Sequence, residues 1–338
     1  MKLVMTLLAR NEADIVDAQI AFHLHAGVDF VIATDNGSDD GTLEILGRYA
    51  RTGRLVLLRE AGEDMRQDEW VTRMARMAAT DFGADWVINS DADEFWWPRG
   101  GTLKDVLGLI PERYGVVRGC WRHFLPRSDG PGNFAERMIV RLCTPAFSGD
   151  KSTIYHAHQK VAHRADPDVE IEPGNHNAAG SALEPLRGWH PVEVLHFSFR
   201  SAEQLARKAG GGWVRTPGFE PTQHQLLLDH AYREGTLGAF YADHAVSDAA
   251  LDCGLVDGSL AVDTRLRDVL RTLREPDGRY RVPEAGMPVA FAAPDLADTA
   301  AYAAEASVLV GIDGIVRAEE RVDALETRLA RLRTLPRR

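Results

Sequence analysis

Four short apolar runs, separated by stretches with helical periodicity, fill the N-terminal third of the chain and constrain its fold more than any other feature. Leu3 to Leu8, Val28 to Ala33, Leu55 to Leu58 and Trp86 to Ile88 read as buried strands. Between them Ala13 to Ala26 reads as an amphipathic helix, with Ile15, Ala18, Ile20 and Phe22 among its apolar positions. Gly41 to Tyr49 and Asp68 to Phe82 read as two further helices. This alternation predicts an α/β fold, a mainly parallel sheet flanked by helices. Such sheets bind ligands beyond the carboxyl ends of their strands. Three of the runs end in polar clusters: Arg10, Asn11 and Glu12 after the first, Asp35 through Thr42 after the second, and Asp91, Asp93 and Glu94 after the fourth.

The last cluster suggests a chemistry. Residues i and i+2 of a strand share a side, so Asp91 and Asp93 can point at one spot. Convergent carboxylates repel unless a cation lies between them. Hard divalent ions such as Mg²⁺ or Mn²⁺ take oxygen ligands and leave positions for phosphates. The simplest reading is a metal site that holds a diphosphate; a solvated acidic turn is the plain alternative.

Composition narrows the field. The 338 residues suffice for one large or two modest domains. The formal charge of −11 (39 basic against 50 acidic residues) argues against nucleic acid as a partner. Cys120, Cys143 and Cys253 are odd in number and far apart, so neither a disulfide framework nor zinc spacing is expected. A reducing, cytoplasmic setting fits best. Met1 to Leu8 is too short, and too soon followed by Arg10, Glu12 and Asp14, for a signal peptide. No apolar run reaches the ~20 residues that span a bilayer, so no transmembrane segment is expected.

The rhythm changes near residue 114. Tyr114 to Trp121 and Val192 to Leu195 read as strands, and Ser201 to Lys208 as a helix. Turn formers are dense at Arg127 to Gly132, Asp166 to Asp168 and Pro173 to Asn175, and Gly210, Gly211 and Gly212 mark a break. Residues 222–275 read as mostly helical, 276–296 as a Pro- and Gly-rich linker, and 297–333 as an amphipathic terminal helix. In that helix Ile315, Ala318, Val322, Leu325, Leu329 and Leu332 form a short heptad seam with charged flanks. The seam suits packing on its own domain or a homo-oligomer.

Together Asn11 and Glu12, the run Asp35-Asn36-Gly37-Ser38-Asp39-Asp40-Gly41-Thr42, and Asp91-Ala92-Asp93-Glu94-Phe95 resemble the family 2 glycosyltransferases, in the branch whose acidic motif reads DADEF. Lys160, His176 and the stretch from His196 through Ser201 to Lys208 resemble the same branch. The resemblance implies the GT-A fold, a Rossmann-like α/β domain. That domain would span 1–210, with a nucleotide-sugar half at 1–120 and an acceptor half at 121–210; a helical region, 211–338, would follow. It implies a metal-dependent transfer of a sugar, with inversion, from a nucleotide-diphosphate sugar to an acceptor hydroxyl. A UDP-sugar is the first choice of donor; the acceptor would be a small molecule, a glycan or a lipid-linked sugar.

Carried over residue by residue, Asp35 and Asn36 would contact the base or ribose, and Asp91 and Asp93 would face the ribose and the metal-bound diphosphate. Glu94 would lie behind the metal or face the donor sugar, and His196 would complete the coordination of Mn²⁺ or Mg²⁺. Arg10, Asn11, Glu12, Arg66, Arg73 and Lys208 would line the nucleotide or phosphate pocket. The family often has a second Asp where this chain has Asn36. Transfer also needs a general base within reach of the acceptor hydroxyl. Asp150, Asp166, Glu184 and Glu193 are the carboxylate candidates and His176 the imidazole; with Asp93 and Glu94, His176 and Glu184 make up the candidate catalytic set.

Other readings stay open at this level. A nucleotidyltransferase would carry a Gly-rich basic loop after the first strand, where this chain has Ala9-Arg10-Asn11-Glu12. A non-catalytic nucleotide- or carbohydrate-binding protein sits poorly with an intact acidic motif. A phosphohydrolase would show His/Asp metal pairs, which are missing. His156, His158 and His163 have no zinc spacing. Trp96 and Trp97 suit the core better than a sugar platform. Gly37 and Gly41 serve backbone geometry.

Overall fold

A computed structural model of the chain describes residues 1–60, 66–127, 132–143, 153, 155–180, 183–210, 221–284 and 288–292, and in the terminal helix positions 307, 308, 310–315, 317, 318, 321, 322, 324–326, 328 and 329. The first half follows the expected alternation: β1 (Leu3–Ala9), α1 (Val16–Ala26), β2 (Phe30–Asp35), α2 (Thr42–Arg51), β3 (Leu55–Arg59), α3 (Gln67–Thr80) and β4 (Trp86–Asp91). Next come β5 (Glu94–Pro98), α4 (Leu103–Gly108), β6 (Val116–His123), α5 (Phe134–Arg137), β7 (Val140–Leu142), β8 (Gln159–Arg164), β9 (Glu170–Ile171), β10 (Ala178–Ala179) and β11 (Val192–His196). The chain continues through α6 (Ala202–Gly210), α7 (Gln223–Arg233), α8 (Leu237–His244), α9 (Asp248–Asp257), β12 (Leu260–Val262) and α10 (Arg265–Leu273).

Eight strands form one mixed sheet in the order β3-β2-β1-β4-β8-β6-β11-β5. The β3-β2-β1-β4 half is wholly parallel. In the other half β8 runs antiparallel to both β4 and β6, β11 is parallel to β6, and β5 is antiparallel to β11. Strand alternation splits the core into two layers. Leu3, Met5 and Leu7 of β1 face one layer with α1 and α10, and Val4 faces the other with Val71, Met74, Ala75 and Ala78 of α3. This architecture, an α/β sheet flanked by helices with a helical C-terminal region, is the one the sequence predicts.

Two elements differ from their sequence reading. Helix α1 is buried almost all round, Gln19, His23 and His25 included, because α2 and α10 enclose the sides that the sheet, β5 included, leaves open. The stretch 276–296 is no free linker where it is described. Tyr280 and Phe291 are buried, and Phe291 pairs with Gly101 through two backbone hydrogen bonds, since a large ring gains more from the core than Pro and Gly gain from solvent. The C-terminal region is also stitched to the sheet domain: β12 pairs with β7, and Leu266, Leu270 and Leu273 of α10 enter the main core. In the terminal helix Ile312 is buried against Cys120 and Ala157. Further along, Val322, Leu325 and Leu329 are more than half exposed, so they do not pack on their own domain. Leu332 and the break at Gly211 and Gly212 lie outside the described residues.

Candidate metal and nucleotide site

The register of three strands builds the site. Glu94 opens β5 directly opposite His196, the last residue of β11, and His196 is in turn level with His123 at the end of β6. Asp93 lies in the tight turn between β4 and β5. Asp93, Glu94 and His196 therefore converge, with one ligand atom from each within 4.8 Å of the others. His196 Nε2 is 3.8 Å from Asp93 Oδ2. Burial, and then the neighbouring His123, keep the His196 imidazole far below its ordinary value, hence neutral and able to offer a lone pair. Two carboxylates and one imidazole suit Mn²⁺ or Mg²⁺, and three protein donors leave positions for phosphate oxygens. The set fits the expected ion.

Asp91 takes a different part. Its Oδ2 accepts from Lys160 Nζ at 2.5 Å, and its Oδ1 accepts from Asn175 Nδ2 at 3.0 Å and Gln67 Nε2 at 3.3 Å. Asn175 is buried with a positive φ of 59°, a sparsely populated conformation that the surrounding packing must hold in place. Lys160 also reaches Glu94 Oε1 at 3.0 Å. Burial works against its ammonium, but Asp91 and Glu94 outweigh that and hold it charged. Burial pushes fully enclosed Glu94 up to about 8, against the pull of Lys160, and the charges of Asp91 and Asp93 add to the rise.

Around Asp93 the charges alternate. Arg200, fully buried, donates Nε–H to Asp14 Oδ2 at 2.7 Å, pairs with Glu12, and lies 3.9 Å from Asp93. Burial alone would raise Asp14; Arg200 outweighs it and holds the carboxyl below its ordinary value. Burial raises Glu12 to about 7 despite Arg200. Lys208 of α6 stands 3.9 Å from Asp93 on the more exposed side. Arg200 thus ties the loop after β1 to the segment after β11, across 186 residues of chain.

The loops after β1 and β2 are zipped together. Asn11, with a positive φ of 56°, donates its N–H to Ser38 Oγ and accepts from Asp39 N–H; Glu12 N–H donates to Thr42 Oγ1. Arg10 reaches Asn36 Oδ1 at 3.3 Å. Asp35 is buried at the end of β2, level with Ala9 of β1. Among the described residues its Oδ1 has no hydrogen-bond partner.

The other candidates scatter. Arg66 and Arg73 make surface ion pairs with Glu69 and Glu60. His176 stacks on His158 at 3.5 Å beside Trp121, bonds the Gln159 carbonyl, and is kept neutral by burial and by His158. Glu184 is exposed, and its carbonyl accepts from Val116 at the start of β6, the end away from Trp121 and His123. Glu193 faces Arg122 and Arg265, and Asp166 accepts from Asp168 N–H; neither joins the group. His163 bonds the Arg164 carbonyl, apart from His156 and His158. Asp150 lies outside the described residues. Sequence reasoning missed Trp121, His123, Asn175 and Arg200, and it gave Lys160 no role in the site. Arg200 stands inside the His196–Ser201 stretch, the one signal that could have found it.

Among the described residues no helix is long and apolar enough to cross a membrane. No family model matches the chain, and no curated protein matches it. Solved structures resemble it distantly. S. aureus TarS 1–349 is 14% identical over 69% of this chain and 70% of that one, with a TM-score of 0.35. The same protein in complex with UDP-GlcNAc is 13% identical, over 69% and 71%, with a TM-score of 0.34. Glucosyl-3-phosphoglycerate synthase from Mycobacterium tuberculosis, in complex with Mn²⁺, UDP and phosphoglyceric acid, is 23% identical over 36% of this chain and 43% of that one, with a TM-score of 0.26.

Proposed function

We propose that the chain is a metal-dependent glycosyltransferase that moves a sugar, with inversion, from a nucleotide-diphosphate sugar, a UDP-sugar by preference, to an acceptor hydroxyl. The observation that carries this reading is the convergence of Asp93, Glu94 and His196 at the sheet end where β1 and β2 deliver Arg10 and Asp35. In this reading residues 1–120 bind the donor, 121–210 face the acceptor, and 211–338 buttress both. Asp93, Glu94 and His196 hold Mn²⁺ or Mg²⁺, which when bound supplies a Lewis acid against the charge growing on the leaving diphosphate. Arg200 keeps Asp93, Glu12 and Asp14 in fixed relation, and Lys208 offers a second positive charge at the phosphate side. Asp35 and Asn36 receive the base or ribose. Among the described candidates His176, neutral and beside Trp121, is taken as the base. The free cysteines are in keeping with a cytoplasmic setting.

The test is thermal melting of wild type and Asp93→Asn with a panel of nucleoside diphosphates, in Mn²⁺ or EDTA. Binding to the native state raises the melting temperature by linkage. A metal-dependent rise with one nucleotide, absent in the variant, supports the reading. No rise with any nucleotide, with or without metal, overturns it.

A further inference from the structure

We propose that Trp121 and His123, two residues apart on β6, position the metal-holding group by fixing Glu94 and the tautomer of His196; this rests on the metal reading above. The starting point is a backbone oxygen. His123 Nε2 lies 2.8 Å from the His156 carbonyl, which can only accept, so Nε2 carries the proton and His123 Nδ1 is an acceptor. His196 Nδ1 lies 3.2 Å from that Nδ1, so the proton between them belongs to His196. His196 Nε2 is therefore bare, and it is the nitrogen that faces Asp93 at 3.8 Å. Ser198 Oγ lies 3.2 Å from Nδ1 and 3.0 Å from Nε2; with the proton on Nδ1 its hydroxyl donates to Nε2, and an ion bound there displaces it. Ligating histidines are commonly held through their second ring nitrogen; here the partner is another histidine.

Trp121 completes the arrangement. Its ring stacks on His196, with centroids 4.2 Å apart and planes 20° apart, which fixes the direction of the Nε2 lone pair. Its Nε1–H donates to Glu94 Oε1 at 2.9 Å, while Asp91 N–H holds Oε2 at 3.1 Å. Without the indole N–H, Lys160 is left as the partner of Oε1 and draws the carboxylate toward Asp91, away from Asp93 and His196. Both residues act through Glu94 and His196.

The experiment is a Mn²⁺ titration followed by electron paramagnetic resonance, with pulsed detection of ¹⁴N coupling, on the full chain without donor. His123→Phe removes the acceptor, and affinity should fall roughly 10–100-fold with the ¹⁴N coupling weakened. His123→Asn restores a carbonyl acceptor near the same place and should recover most of the affinity. Trp121→Phe keeps a ring and loses the N–H, and should weaken binding roughly 10-fold. Melting temperatures are measured alongside, because a merely structural role would make affinity track stability in all three variants. Wild-type affinity and coupling in His123→Phe, or affinities that only track stability, overturn the proposal and leave the metal reading intact. A wild type that binds no Mn²⁺ removes both.

Discussion

Lys160 Nζ lies 2.5 Å from Asp91 Oδ2 and 3.0 Å from Glu94 Oε1, so a protein ammonium occupies the gap between the first and third carboxylates of the acidic motif. Lys160 and Glu94 are fully buried. Glu94, already pushed up to about 8, takes a proton when Lys160 is removed, so the charge left stranded is that of partly buried Asp91, at a cost of up to about 3–5 kcal/mol. Lys160→Met should therefore lose about that much in urea unfolding at pH 7, and the double variant Lys160→Met with Asp91→Asn should recover part of it, since one stranded charge is gone. A loss under 1 kcal/mol in the single variant would show that Lys160 contributes little to charge balance there.

The division of labour within the motif was hidden in the sequence for a physical reason. Asp91, Asp93 and Glu94 stand out because the three carboxylates lie within four residues at the end of one strand, a local feature. Lys160 is 69 residues from Asp91, and the two meet because β8 inserts antiparallel between β4 and β6. That insertion is long-range pairing, which leaves no periodic trace. The same holds for Trp121 and His196, joined through the β6–β11 register, and for Arg200 and Asp14. The alternation of strands and helices in residues 1–91 was legible because each parallel strand is buried and each crossover helix is local. The burial of α1 was not, since the helices that cover its far side come from elsewhere in the chain.

His23 gives a stability prediction with a definite sign. Its Nδ1–H donates to the Gln19 carbonyl at 2.8 Å, and its Nε2 accepts from Trp96 N–H at 3.1 Å, which locks one neutral tautomer inside the core. Burial lowers it from its ordinary 6.5 to about 4. Because the folded value is depressed, the stability it contributes is complete above pH 6.5 and is lost as pH falls toward 4. Between pH 7 and pH 5 that loss is about 2 kcal/mol for this residue. His123 and His163, also lowered to about 4 by burial, add losses of the same sign. Urea unfolding at both pH values should give wild type a larger drop than His23→Gln, by about 2 kcal/mol. Equal drops would mean that His23 takes up its proton as readily in the folded state as in the unfolded chain.

The exposed seam of the terminal helix makes the last prediction, one about a second copy of this chain. Val322, Leu325 and Leu329 present a stripe more than half exposed, in a 3-4 spacing that begins at Ile315. The a positions then hold Ile315, Val322 and Leu329, and the d positions Ala318, Leu325 and Leu332. A β-branched residue at a with Leu at d favours two parallel strands. One flanking pair agrees: Arg321 falls at g and Glu326 at e, which face each other across a parallel dimer and meet only their own kind across an antiparallel one, whereas Arg328 at g and Arg333 at e are like charges in that register. We therefore expect a parallel homodimer through this helix, concentration-dependent because the exposed part of the seam is short, Ile315 being packed against the Cys120 cluster of its own domain. Light scattering after size exclusion should find mass rising toward twice the monomer with loading concentration. Leu325→Arg should abolish the rise. Arg321→Glu should weaken it by placing glutamates opposite one another, and adding Glu326→Arg should restore it by reversing the pair. Rescue by the double swap is what the parallel register requires. A mass that stays monomeric at every concentration, or an Arg321→Glu variant that dimerises more tightly, would rule that register out.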